Sequence, residues 1–158
     1  MRLRSLVAGT ALAATSVLAL AAPAAAAPKP THEADVVGVV RIDPADPTVA
    51  EVQVRYRCAA GGELGLWVSV KQTADRSADP RLAEHGSSAI SAGWSQSHGN
   101  PFTCDGRTRV GRFTVDHEEF GIGALARGEG YVQFCLTDAT AQGPEGLVLS
   151  RNEFVHVR

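Results

Sequence analysis

Long amphipathic periods are missing from this sequence, and so is any dominant sign of charge. Its 158 residues hold 15 basic and 17 acidic side chains, a formal net charge of −2. Scattered, nearly balanced charge gives no electrostatic footing for nucleic acid. Aromatics make up only 6% and charged residues 20%, yet hydrophobics reach 44%, which excludes a disordered charged tail. Lysine is scarce: Lys29 and Lys71 stand against 13 arginines. Cysteine is scarce too, and its count of three leaves an odd thiol after any pairing. The length suits one domain.

What is present begins with a targeting pattern. Arg2 and Arg4 open the chain, an apolar run covers 5–22, and Pro23 with the small residues 24–27 follows. That order of basic start, apolar stretch and A-x-A site predicts a signal peptide over 1–27. No basic stop-transfer cluster follows, so no membrane span is expected after cleavage. The expectation is a secreted, extracellular protein, with 28–35 as a mobile leader and 36–158 as a single domain. Its Ala-rich, Gly-rich and Arg-over-Lys composition resembles that of actinobacterial secreted proteins.

From Val36 onward, short β-favouring runs alternate with turn chemistry. The runs are 36–42, 49–58, 64–72, 108–116, 131–137 and 147–157, the last with a break expected near Asn152. Turns are expected at 43–47, 59–62, 104–106 and 128–130, where Asp, Pro and Gly either fix φ or tolerate positive φ. About seven such strands predict an all-β, immunoglobulin-like two-sheet sandwich, with a small β-barrel as the alternative. The segment 73–101 is long for a sandwich connection. Within it, Asp79 as N-cap, Pro80 at the first helical position and Gly86 as stop predict one or two helical turns. A short edge strand is expected at 90–97, around Trp94.

Alternation bears on the cysteines. Val52, Val54, Tyr56 and Cys58 share a face, so Cys58 points to the core. Val132, Phe134 and Leu136 share another, which leaves Cys135 on the opposite side. Trp67 likewise lies off the face of Leu64, Leu66, Val68 and Val70. An immunoglobulin pin would join Cys58 to Cys135 and pack a tryptophan on it, and both parities count against it. The favoured pair is Cys58–Cys104, with Cys135 a free thiol. The protein is then expected as a monomer, with a dimer through Cys135 as the alternative.

Two resemblances add to this reading. Tyr56-x-Cys58, Val68-Ser69-Val70-x-Gln72, Cys104-Asp105-Gly106 and Phe113-Thr114-Val115 together resemble a group of small secreted actinobacterial proteins with no assigned activity. In that group the two matching cysteines are the expected bonded pair. The segment 136–150, with its Leu-Thr-Asp-Ala and Gly-Pro-Glu-Gly blocks, is similar to the closing hairpin of the neocarzinostatin family. Those proteins are secreted immunoglobulin-like sandwiches that carry an enediyne chromophore in a cleft. The resemblance implies the fold and points to small-molecule carriage. It departs from the family in lacking four cysteines for two short-range disulfides.

Catalytic motifs fail one after another. Gly121-Ile122-Gly123-Ala124-Leu125-Ala126 has the form of a dinucleotide turn, but no helical run follows, so a flexible connection between strands is expected. Gly93-Trp94-Ser95-Gln96-Ser97 lacks the closing glycine of a nucleophile elbow. His32, His85, His98, His117 and His156 are scattered, and His117-Glu118-Glu119 has no second histidine at metal-ligand spacing. No segment offers the alternating oxygens of a calcium loop. No catalytic residue, metal or cofactor is expected. The expected function is a non-catalytic binding or structural module for an extracellular or cell-envelope partner. A small-ligand carrier is the alternative, and a small hydrolase working through Ser95 or His98 is the third reading. The candidate binding surface comprises Trp94 in the 73–101 excursion and Phe102 just after it, with Asp138 and Gln142 in the 138–146 loop.

Overall fold

The computed structural model describes residues 32–59, 63–84, 86–141 and 146–158. The expected signal peptide, the leader residues 28–31, His85 and Gln142 lie outside the described residues, as does most of the expected turn at 59–62.

The described chain is all-β. Its strands are β1 (Glu33–Val36), β2 (Arg41–Ile42), β3 (Ala50–Arg57), β4 (Leu64–Gln72), β5 (Gly93–Ser97), β6 (Thr108–Gly123), β7 (Gly128–Asp138) and β8 (Leu147–Val157). Two short 3-10 turns, Pro80–Ala83 and Ser87–Ala89, sit between β4 and β5. Hydrogen-bonded neighbours follow the order β1-β3-β6-β5-β4-β7-β8, with β2 also on β3. Three strands (β1, β3 and the first half of β6) thus face four (β5, β4, β7, β8). The long β6 joins the layers, pairing with β3 over Thr108–Val115 and with β5 over Asp116–Gly123.

The far edges also meet. The amide of Val40 donates to His156 O at 3.0 Å, Arg158 N donates to Val40 O at 3.0 Å, and Ile42 N donates to Arg158 O at 2.9 Å. A parallel bridge between Val40 and Val157 completes the contact. Both architectures expected from the sequence meet here, in two layers nearly closed into a barrel. Closure leaves fewer unpaired backbone groups to template aggregation. Between the layers, Tyr56, Phe113 and Phe134 form a tilted aromatic triad with centroids 5.5–6.0 Å apart. Val52, Val54, Val68, Val70, Val115 and Val132 fill the space around it.

Cys58 and Cys104 form the disulfide, with Cα atoms 4.8 Å apart across 46 positions, and Cys135 is free. Cys58 is buried at the end of β3, as alternation implied.

Several boundaries differ from expectation. The leader does not extend to residue 35: β1 starts at Glu33, because Ala34 and Val36 supply a core-facing alternation that pairs with Tyr56 and Val54. The run at 36–42 is broken by Gly38, which has a φ of 77°. The strand around Trp94 begins at Gly93 and is not an edge, being paired on both sides. Gly121–Gly123 is strand, not a flexible connection, and β6 runs seven residues past its expected end. The expected turn at 128–130 is the start of β7, where Gly130 packs directly against Val157. β8 runs unbroken through Asn152, which pairs with Gln133.

Candidate ligand-binding site

β4 is buried on both of its faces. Leu66, Val68 and Val70 enter the core, while Trp67, Ser69 and Lys71 lie on the outer side of the four-stranded layer. The register sets Trp67 opposite Cys135, Ser69 opposite Gln133, and Lys71 opposite both Tyr131 and Trp94. In an ordinary sandwich this outward face is solvated. Here the 73–92 excursion folds over it.

The excursion is held at defined points. Asp79 caps the first turn by accepting from Arg81 N at 2.9 Å, and Pro80 takes the first helical position, as the sequence predicts. That turn ends at Glu84, and Gly86 instead enters the second turn in the left-handed region, with a φ of 82°. Leu82 is fully buried beneath the turn. Ala92 N donates to Gln72 O at 2.8 Å and returns the chain to β5.

Beneath this cover lies a cleft of about 410 Å³, lined by Trp67, Lys71, Glu84, Ser87, Trp94 and Gln133 among others. Lys71 is 5% exposed. Its Nζ donates to Ser87 Oγ at 2.9 Å and stands 4.2 Å over the Trp94 ring. No carboxylate lies within 4 Å of it among the described residues. Burial pushes the Lys71 pKa below its ordinary value. Burial also pushes the Tyr131 phenol and the Cys135 thiol up, and the Ser150 hydroxyl, 3.5 Å from Cys135 Sγ, partly offsets the latter.

The two indoles of the cleft are backed through an irregularity in β6. Gln96 pairs with Asp116 while Ser95 pairs with Gly121, so residues 117–120 stand out of the ladder. The bulge closes with the His117 ring against Gly121, where a Cβ would collide with it. It sets Phe120 edge-on to Trp94, centroids 5.0 Å apart. Glu119 grips His98 through its ring nitrogen and its backbone amide, and the His98 ring stacks on Trp67 at 6.2 Å.

The Ser87–Lys71 hydrogen bond has the spacing of a nucleophile and its base. Two features oppose that role. The Trp94 face favours the ammonium over the free amine. The neighbouring amides are also spent within the turns, Ser87 N on Glu84 O at 3.3 Å and Ala89 N on Gly86 O at 3.0 Å. Ser95 is fully buried and donates to Thr48 O at 2.7 Å. Among the described residues, no group of three His, Cys, Asp or Glu side chains is placed to hold a metal ion.

Of the four residues expected to form a binding surface, Trp94 lines this cleft. Phe102 packs, half-buried, on the core beside Cys104. Asp138 pairs with Leu64 at the opposite end of β4 from Lys71, and its carboxylate accepts from Thr140 N at 2.8 Å to hold the turn. Lys71, Ser87 and Gln133 were missed. The available signal was the rarity of lysine in a chain that otherwise uses arginine, at an outward position two residues beyond Ser69 on β4.

A second cleft of about 410 Å³ lies over Arg41, Asp43, Glu51, Arg112 and Thr114. Its Arg112–Glu51 pair spans 3.6 Å with side chains 63% and 39% exposed, so water screens it and little binding energy is concentrated there. No family model and no curated protein matches this chain. The geometry therefore carries the functional argument.

Proposed function

We propose that this chain is an exported, non-catalytic binding module that carries a small ligand in the cleft over Trp67, Lys71 and Trp94. The observation that carries the reading is Lys71, a nearly buried amine that, among the described residues, has one hydroxyl as hydrogen-bond partner and one indole face beside it. Buried charges are ordinarily paired, and a site that leaves one unpaired suits a group brought from outside. The cleft volume lies within the range of small-molecule sites. The likeness of 136–150 to the neocarzinostatin hairpin supports carriage of a small molecule. The signal-like segment 1–27 and the Cys58–Cys104 disulfide support export. No helix among the described residues is long and apolar enough to cross a membrane.

A fragment library screened by NMR against the full exported chain tests the reading. Shifts are expected to gather on Trp67, Lys71, Ser87, Trp94 and Gln133. Shifts gathered on Arg41, Glu51 and Arg112 would move the site to the other cleft. A fluorophosphonate probe is expected to leave Ser87 unlabelled, and labelling there would overturn the non-catalytic assignment.

A further inference from the structure

The donor inventory of the cleft narrows what it binds, on the footing that it is a ligand site at all. An ammonium offers three N–H donors, and among the described residues Lys71 has one acceptor, Ser87 Oγ at 2.9 Å. The Trp94 indole N–H is buried and has no acceptor among the described residues. Donors on two side chains lining one cleft are thus left without acceptors. By contrast, Arg55, Arg81, Arg109, Arg112 and Arg151, all more exposed, each reach a carboxylate within 4 Å. Arg41, Arg57, Arg76, Arg107, Arg127 and Arg158 reach no carboxylate among the described residues either, but they are not buried and water solvates them; Lys71 is the buried cation without a counter-ion there. Glu84 lines the same cleft but does not reach the ammonium within 4 Å. The walls include two indoles, one backed by His98 and the other by Phe120, which present flat apolar surface.

We propose that the cleft takes a planar ligand bearing a carboxylate, with the anionic oxygens on Lys71 Nζ and the flat portion against Trp67 and Trp94. A cationic ligand would meet Lys71 as a like charge, and a neutral one would leave the ammonium unpaired. A carboxylate satisfies the ammonium through charge-assisted hydrogen bonds, and the aromatic walls hold the remainder by stacking. The carboxylate could belong to a free aromatic acid or to the C-terminus of a peptide ending in an aromatic residue. Both present the same chemistry to Lys71.

The test uses three isosteric probes on the full exported chain: 2-naphthoate, 2-naphthamide and 2-naphthylmethylamine. Binding is read from the two indole N–H signals and from tryptophan fluorescence. The acid is expected to bind about tenfold or more tightly than the amide, and Lys71→Met is expected to bring the two within about twofold. Should Lys71→Met fail to fold, the acid–amide comparison on the native chain still decides. An amide or amine that binds as tightly as the acid would overturn the carboxylate assignment while leaving the cleft as a ligand site. If no probe perturbs either indole, the cleft itself fails as a ligand site. N-acetyl-glycyl-tryptophan and its C-terminal amide then locate the source. A peptide acid that binds more tightly than both its amide and naphthoate assigns a chain terminus, and the reverse order assigns a free acid.

Discussion

Gln72 and Lys71 are neighbours on β4, and both are buried. Gln72 is fully satisfied: its amide donates to Ala126 O at 2.8 Å and Glu129 O at 3.1 Å, and its carbonyl accepts from Ala126 N at 2.9 Å. It ties the β6–β7 connection to the end of β4. Replacing it with methionine strands three backbone groups, so Gln72→Met is expected to cost about 3 kcal/mol in urea denaturation. Lys71→Met removes a buried charge that has no counter-ion among the described residues, and is expected to gain about 1 kcal/mol or more at neutral pH. The sign of its pH dependence follows from burial. Because the folded pKa lies below the ordinary 10.5, the unfolded chain binds the proton more tightly. Stability from this group is present above 10.5 and lost as pH falls through the folded value. The advantage of Lys71→Met should therefore shrink as pH rises and vanish above 10.5. An advantage that stays constant with pH would contradict the burial account.

At the scale of elements, the 73–92 excursion covers the cleft and the bulge at 117–120 backs its Trp94 wall through Phe120. Gly121 is where the bulge closes, and no side chain fits between its Cα and the His117 ring. Gly121→Ala is expected to cost about 2 kcal/mol through overpacking and to release Phe120 from Trp94, read as a change in tryptophan fluorescence. Unchanged stability and emission would show that the bulge closes differently. The excursion was partly legible, because an Asp-Pro pair before an apolar residue encodes a capped turn by simple stereochemistry. The bulge was not, since period-2 alternation carries no mark for four residues that leave the ladder. The glycines of β7 misled for a related reason. Turn formation and close packing both call for a residue without a Cβ, and only the neighbour, here Val157, separates them.

For the whole molecule, the alternation of β3, β4 and β7 was enough to show the core face, to turn Cys58 inward and to set Cys135 on the other side, while several strand bounds and the choice of Cys104 as partner were not fixed by it. The choice between sandwich and barrel was not legible. It depends on the bridge at Val40 and Val157, two residues distant in sequence whose pairing no local pattern encodes. The cleft was legible only in part. Trp94 stood out as an aromatic in a long connection, whereas Lys71 became notable once the excursion was seen to bury it. The disulfide constrains the unfolded chain across 46 positions, and the paired Cys58→Ala and Cys104→Ala change is expected to cost about 4 kcal/mol. Alkylation of the native chain should find a single thiol, Cys135, that reacts slowly when folded and quickly when unfolded. Rapid reaction in the folded state would contradict its burial at 8% exposure.

The most direct test of ligand carriage is a non-denaturing mass spectrum of the native chain after incubation with an extract of its growth medium, recorded beside the Lys71→Met variant. The predicted result is an added small mass that is lost on denaturation and reduced in the variant. A bare chain in both spectra, or the same added mass on both, would contradict the assignment of the Lys71 cleft as the site of carriage.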